Sequence, residues 1–69
     1  MFDRKRFKAQ LILAGVSMKE LAEALGIDES TLYRKVSADG SFTREEINKM
    51  IDVLKIESPM DIFFTQELA

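Results

Sequence analysis

The side chains best suited to chemistry in this sequence lie in the segment ESTLYRKV, residues 29–36. Six of them carry a charge or a hydroxyl, namely Glu29, Ser30, Thr31, Tyr33, Arg34 and Lys35. An advance of about 100° per helical residue places Ser30 and Arg34 almost opposite the apolar side set by Leu32 and Val36. Hydroxyls and a planar guanidinium on one helix face suit the edges of bases and neighbouring phosphates. This segment therefore predicts polar recognition of an external ligand.

Catalysis and metal binding are disfavoured by the composition. The chain has no cysteine and no histidine, so the common nucleophile–base pairs and the usual zinc ligands are missing. Glu45 and Glu46 are adjacent carboxylates, but acids are expected in the first turn of a helix without any catalytic role. The glycines have neither of the two phosphate-loop spacings. We therefore expect no enzymatic activity, no metal and no cofactor.

Length and hydropathy predict one small domain. A chain of 69 residues buries only about 60% of the surface that its unfolded form exposes, so all its helices must share one core. No apolar run approaches the roughly 20 residues of a membrane span, and the start lacks the longer apolar region of a secretory signal. We expect a single domain over residues 1–69 that is cytoplasmic and does not contact a membrane.

The charge is unevenly distributed along the chain. The formal net charge is −2, yet residues 1–35 carry seven Lys or Arg against five Asp or Glu. Residues 36–69 carry three basic against seven acidic side chains. Because the local field decides what a surface attracts, the first half remains compatible with an anionic partner. The cluster DRKRFK, residues 3–8, is either a solvated helix face or a patch that touches phosphates.

Apolar periodicity and capping residues predict three helices in the first half. The first helix runs from about Asp3 to Ala14, and Gly15 ends it. The segment SMKE fits a capping box that begins a second helix after Ser17. Gly26 then favours a left-handed helix end. A third helix follows over residues 29 to about 36, with Asp28 placed to cap it.

The second half predicts a loop and two further helices. SADGSF is a loop with its turn at Asp39 and Gly40. TREE fits a second capping box, in which Thr43 begins a fourth helix with a strongly amphipathic face. Ser58 and Pro59 are typical of the start of a short fifth helix. With no strand pattern anywhere, we expect an all-α fold of five helices.

The inward faces of these helices predict one shared core. Its expected members are Phe7, Leu11, Leu21, Leu25, Leu32, Val36, Phe42, Ile47, Ile51, Leu54 and Ile62. The methionines at positions 18, 50 and 60 are interpreted as gap-filling or surface residues rather than as a cofactor site.

Only three residues separate the second and third helices, which suits a sharp helix-turn-helix crossing. The segment SMKELAEALGIDESTLYRKV, continued by DGSFTREEINKMIDVLKI and DIFF, resembles the Cro/repressor-like helix-turn-helix family, the Xre-type regulators of phages and bacteria. Within it, Ala22 matches the small residue at the helix crossing and Gly26 matches the turn. The resemblance covers about residues 7–64 and places the helix-turn-helix unit at about 17–36.

The resemblance implies a five-helix repressor-like domain and a sequence-specific, double-stranded DNA-binding transcriptional regulator of the phage or prophage repressor type. Its recognition helix, residues 29–36, would lie in the major groove. The implied base-contacting residues are Glu29, Ser30, Tyr33 and Arg34. The implied phosphate-contacting residues are Ser17, Met18, Lys19, Thr31, Lys35, Ser41, Thr43 and Arg44. No small-molecule ligand is expected.

Two positions depart from the family pattern, and several roles stay open. Glu29 places a negative charge where relatives often carry a neutral or basic group, and Lys35 occupies a position that is often apolar. Glu29 either accepts a hydrogen bond from cytosine or only stabilises the helix start. Arg34 either reads a base or is a solvated charge, and Tyr33 either touches DNA or covers a helix edge.

A second hypothesis is a protein-interaction adaptor or antirepressor that keeps the fold but does not bind DNA. The acidic second half and Glu29 favour it.

Self-association is a separate prediction. Phe63 and Phe64 are adjacent, and a helix buries only one of them easily, which leaves Phe64 and Leu68 as an apolar patch. We expect a weak or DNA-assisted homodimer through this C-terminal region.

Overall fold

The computed structural model describes residues 2–64 of the chain. Within this range the protein is entirely helical, as predicted, with five helices and no strand. Their bounds are α1 (Arg4–Ala14), α2 (Met18–Leu25), α3 (Glu29–Ser37), α4 (Arg44–Leu54) and α5 (Pro59–Phe63). No helix of this region is long and apolar enough to cross a membrane.

Both predicted capping boxes are confirmed. Glu20 N–H donates to Ser17 Oγ over 3.1 Å, and Ser17 N–H donates to Glu20 Oε1 over 3.1 Å. The same reciprocal pair joins Thr43 and Glu46, at 3.1 Å and 2.9 Å. Each box satisfies two backbone donors that the helix itself leaves unpaired. The starts of α2 and α4 are therefore set by local sequence.

The prediction that the side chains of Asp28 and Ser58 cap their helices is wrong. Both residues occupy the N-cap position, but neither side chain accepts a hydrogen bond from its helix. Ser58 has a ψ of 74°, far from the 163° of Ser17 and the 164° of Thr43, so its hydroxyl is not turned over the helix start. Asp28 is exposed, where water competes for its carboxylate. Asp3 caps α1 instead, accepting from Arg6 N–H over 3.0 Å.

The core lies where α2 meets α4 and where α1 meets α4 and α5. The predicted members that are buried are Phe7, Leu11, Leu21, Leu25, Leu32, Val36, Leu54 and Ile62. Burial extends to five residues outside the predicted core, namely Phe2, Ala22, Met50, Ile56 and Phe63. All thirteen form one hydrophobic cluster, so the helices do share a single core.

The predicted core needs one correction on α4. Met50 is fully buried, which agrees with the gap-filling interpretation and not with the surface one, whereas Ile47 and Ile51, predicted as core, are only partly buried. Phe42, also predicted as core, is partly buried in the loop before α4. The inward direction of α4 thus runs along Met50 and Leu54. An unbranched thioether side chain can fill an irregular space between helices, which explains a methionine at the centre.

An aromatic cluster closes the end of the core near the N-terminus. The ring centroid of Phe2 lies 5.3 Å from that of Phe7, 5.6 Å from that of Phe42 and 5.8 Å from that of Phe63. Asp3 N–H also donates to the carbonyl of Ile62 over 2.7 Å. The residues before α1 therefore join α1, α5 and the loop that precedes α4.

Candidate nucleic-acid interface

A short turn sets the position of α3 relative to α2. Gly26 ends α2 with a left-handed backbone, φ 71°, and Ile27 N–H donates back to the carbonyl of Ala22 over 3.0 Å. Such a closure satisfies carbonyls at the helix end and turns the chain within three residues. Ala22 is buried where the core joins α2 and α3, as expected for a small residue at a helix crossing. The two helices form a helix-turn-helix.

The four predicted base-contacting residues of α3 are all accessible. Leu32 and Val36 are buried and attach the helix to the core. Ser30 and Arg34, which the sequence placed almost opposite that buried side, are exposed, and so are Tyr33 on its flank and Glu29 at the front of the helix. Tyr33 keeps 52% of its surface exposed, which is high for an aromatic residue beside a core.

Arg34 is held along this surface by a neighbouring hydroxyl. Its Nη2 donates to Thr31 Oγ1 over 3.2 Å, one helical turn earlier. Within residues 2–64 the structure gives Arg34 no ion pair. Because a guanidinium has five N–H donors, most of its donors remain available for a ligand. The partly buried Thr31 therefore supports Arg34 in addition to flanking the outer face.

The start of α2 offers backbone donors beside α3. The hydroxyl and the N–H of Ser17 are both used in the capping box. Met18 and Lys19 follow at the first two helical positions, whose N–H groups have no partner within a helix. Unpaired donors at a helix start attract phosphates. Met18 is half-buried and Lys19 is exposed, so this helix start is reachable from outside.

A groove connects the start of α2 with α1 and α3. It has a volume of about 490 Å³, and Ser17, Met18 and Tyr33 line it together with Arg4 and Lys8 of α1. Both charged residues of this lining are cations. Arg4 and Lys8 belong to the DRKRFK cluster, which the sequence left open between a solvated face and a phosphate-touching patch. We call these five residues and the space between them the basic groove.

The loop between α3 and α4 carries the remaining predicted phosphate contacts. Ser41, Thr43 and Arg44 are exposed. Lys35 is different, because its Nζ lies 3.2 Å from Glu46 Oε1 and 3.4 Å from the carbonyl oxygen of Ser41. The ammonium group is thus engaged within the protein, an arrangement that a residue-by-residue reading of the family motif did not anticipate.

The carboxylate of Glu46 is stabilised in its charged form. Burial raises the pKa of Glu46, but the Thr43 N–H and the Lys35 ammonium outweigh that effect and bring the pKa below its ordinary value. Only 25% of the Lys35 side chain and 13% of the Glu46 side chain are exposed, so solvent screens this ion pair less than a surface pair. The pair joins the end of α3 to the start of α4.

The predicted dimer patch is described only in part. Phe64, the residue that follows α5, is 49% exposed, and Met60 within α5 is 63% exposed. Leu68 lies outside the described residues. Phe63, in contrast, is buried in the aromatic cluster. The structure therefore separates the two adjacent phenylalanines as the sequence predicted.

Among residues 2–64, no group of three acidic side chains is arranged to hold a metal ion.

Comparison with known proteins agrees with this geometry. Residues 6–66 match the family model of the Cro/C1-type HTH DNA-binding domain. No curated protein and no solved structure matched the chain. The match covers α2 to α5 and all of α1 except its first two residues, and it includes the turn at Gly26. The chain belongs to the Cro/C1-type helix-turn-helix DNA-binding domain family.

Proposed function

We propose that this protein is a sequence-specific, double-stranded DNA-binding transcriptional regulator that inserts α3 into the major groove. One observation carries the proposal. The chain belongs to the Cro/C1-type family, and Glu29, Ser30, Tyr33 and Arg34 of its α3 are all exposed. The proposal treats residues 1–69 as one helix-turn-helix domain acting in the cytoplasm, where bacterial and phage DNA is found.

Base recognition is assigned to the outer face of α3. The planar fork of Arg34 suits guanine O6 and N7, which accept two parallel hydrogen bonds in the major groove. Ser30 is a smaller donor or acceptor next to it on the same face. Tyr33 offers an exposed ring edge and a hydroxyl to a thymine methyl or a sugar. Glu29, at the front of the helix, has two alternative roles: it accepts from a cytosine amino group, or it only stabilises the helix start.

Phosphate contacts are assigned to two regions on either side of α3. The first is the basic groove, where Met18 at the start of α2 lines the same space as Arg4 and Lys8, together with Lys19 at the next helical position. The second is the loop before α4, with the exposed Ser41, Thr43 and Arg44. Two contact regions that flank a recognition helix fix its register on the duplex without reading sequence.

The finer functional assignment is a repressor of the phage or prophage type that binds as a weak or DNA-assisted homodimer. The half-exposed Phe64, which follows α5, supports the dimer, because an exposed apolar side chain near a two-fold axis can pack against its own copy. In that arrangement, two recognition helices would lie about 34 Å apart, one turn of DNA.

Selection of bound duplexes from a random pool tests the DNA-binding proposal. We expect enrichment of a site that contains at least one guanine essential for binding, followed by saturable anisotropy of a labelled duplex carrying that site. Random duplex should bind more weakly and lose affinity as salt is raised. No binding to any duplex at low salt and high micromolar protein would overturn the proposal.

Another observation favours a second candidate function, that of a protein-interaction adaptor. Ile12 and Leu13 on α1 are 80% and 79% exposed. Exposed aliphatic side chains are typical of protein contacts, and Leu13 lies outside the basic groove that Ile12 helps to line. Under this candidate function, the negative result of the duplex titration is the expected one, and replacing both residues by serine would abolish partner binding without affecting the fold.

A further inference from the structure

We propose that Lys35 and Glu46 are positioning residues that hold the phosphate-contacting loop, residues 38–43, against the recognition helix. Lys35 then influences DNA affinity through Glu46 and the loop and makes no phosphate contact of its own. This inference rests on the proposed DNA binding. It replaces the direct phosphate contact expected for Lys35 from the family motif.

One ammonium group connects three parts of the interface. Lys35 lies in the last turn of α3, and its Nζ is 3.2 Å from Glu46 Oε1 in the first turn of α4. The same Nζ is 3.4 Å from the carbonyl oxygen of Ser41 in the loop between them. An ammonium has three donors, so two internal partners use most of its capacity. The side chains of Lys35 and Glu46 are both largely buried, so they can adopt few other positions.

Glu46 passes the connection on to the start of α4. Its Oε1 accepts from both Lys35 Nζ and Thr43 N–H, the latter over 2.9 Å. Thr43 Oγ1 in turn accepts from Glu46 N–H over 3.1 Å. Thr43 and its neighbour Arg44 are proposed phosphate contacts. Their position relative to α3 is therefore set by the same carboxylate that binds Lys35.

The backbone of Lys35 also binds the loop. Its carbonyl accepts from Gly40 N–H over 3.0 Å and from Ser41 N–H over 3.3 Å. Substitution of the Lys35 side chain leaves these backbone hydrogen bonds in place. The loop should therefore become more mobile but stay attached to α3. Removing the ion pair should therefore weaken DNA binding moderately. From the usual strength of such pairs, we expect the Kd for DNA to rise about two- to fivefold.

Two substitutions distinguish a positioning role of Lys35 from a direct phosphate contact. The direction in which Glu46→Gln changes DNA affinity differs between the two roles. Lys35→Met removes the cation, and Glu46→Gln removes the anion while keeping a side chain that still completes the capping box. If the pair positions the loop, both variants weaken binding to the selected duplex, and the double variant is no weaker than either one. If Lys35 binds a phosphate directly, Glu46→Gln instead tightens binding, because it frees the cation and removes a negative charge near DNA.

A neighbouring acid provides the matched control. Glu45 is exposed in the same helical turn and forms no ion pair among the described residues. Glu45→Gln changes the net charge by the same amount as Glu46→Gln, so we expect equal or slightly tighter binding. Lys35→Arg should restore most of the affinity that Lys35→Met loses, because a guanidinium keeps the pairing. Circular dichroism verifies that each variant is folded.

Amide hydrogen exchange tests the hold on the loop without DNA. In the free protein, Lys35→Met should speed exchange at Gly40 and Ser41 while leaving the amides of α1 and α2 unchanged. Unchanged exchange at both positions, or tighter DNA binding by Glu46→Gln, overturns the positioning role. If the wild-type protein does not bind DNA, the proposed function is wrong, and so is the proposed influence of Lys35 and Glu46 on DNA affinity. The hydrogen-exchange result still tests, independently of DNA, whether this ion pair holds the loop.

Discussion

At the scale of single residues, exposure separates side chains that face a ligand from those that organise the protein. Arg34 and Tyr33 are exposed on α3, whereas Lys35, one position further, pairs internally with Glu46. Helical geometry explains the split, since a step of about 100° turns each successive side chain to a different surface. A charge in a recognition helix is therefore not evidence of a DNA contact until its partners are known.

Glu29→Gln distinguishes the two roles proposed for Glu29. A carboxylate in the first turn of a helix stabilises it by a few tenths to about 1 kcal/mol without any ligand. If Glu29 accepts from cytosine, the selected base preference changes in the variant. Tighter binding with an unchanged preference instead shows that the carboxylate only stabilises the helix and repels phosphates. Parallel selection with both proteins measures the preference.

Glu46 should make stability depend on acid pH. Its pKa is below the ordinary 4.5 in the folded protein. The carboxylate therefore contributes stability that is complete above about pH 4.5 and is lost as the pH falls through the lowered value. Thermal unfolding from pH 7 to pH 3 should show a smaller loss of stability for Glu46→Gln than for the wild type. Identical pH profiles for the two proteins would contradict this assignment.

At the scale of elements, several local features were predictable from sequence, whereas the absence of side-chain caps at Asp28 and Ser58 and the long-range contacts were not. The capping boxes at Ser17 and Thr43 and the turn at Gly26 follow from neighbours a few residues apart. Lys35 meets Glu46 across eleven positions. Gln10 Nε2 donates to the carbonyl of Leu54, at the end of α4, across 44 positions. Such pairs depend on how whole helices pack, which no local pattern contains.

The aromatic cluster shows the same limit. Phe2 precedes the first helix and belongs to no periodic pattern, yet only 6% of its surface is exposed and its ring contacts those of Phe7, Phe42 and Phe63. Its burial depends on the loop at Gly40 approaching it from another part of the chain. The exposed side of α3, in contrast, was predictable, because a single helix and its apolar stripe define it.

Gly40→Ala should destabilise the protein more than Gly26→Ala. Both glycines have a left-handed backbone, with φ of 73° and 71°, which costs an alanine about 1 kcal/mol or more. A Cβ at Gly40 would also lie 2.5 Å from Phe2 Cβ and 2.6 Å from Phe2 Cδ1, whereas one at Gly26 meets nothing within 4 Å. Overpacking against a buried ring adds about 1–3 kcal/mol. Urea unfolding of both variants measures the difference, and equal midpoints would contradict the contact.

At the scale of the whole molecule, the local charge distribution reconciles an acidic protein with an anionic partner. The chain carries a net charge of −2, but the charged residues that line the basic groove are Arg4 and Lys8. Phosphates respond to the nearby potential, and salt screens the acidic regions further away. DNA binding by this protein should accordingly weaken steeply as salt is added.

Self-association is the second property at this scale. We expect sedimentation to show a monomer–dimer equilibrium at high concentration, or two copies on one palindromic duplex. Phe64→Ser should shift both toward the monomer, because it removes a half-exposed apolar side chain from the proposed contact. Substitution of the exposed Met60 by serine is a control within α5. A monomeric mass in both conditions would contradict the dimer.

The most direct test of the central claim compares Arg34→Ala with Lys19→Ala in a salt titration on the selected site and its single-base variants. We predict that Arg34→Ala costs about 1–3 kcal/mol on the selected site and removes discrimination at one base position. Lys19→Ala should weaken binding to all sequences alike and lower the salt slope by about one unit. If Arg34→Ala leaves affinity and discrimination intact in a folded protein, α3 is not the recognition helix, and the proposed function is wrong.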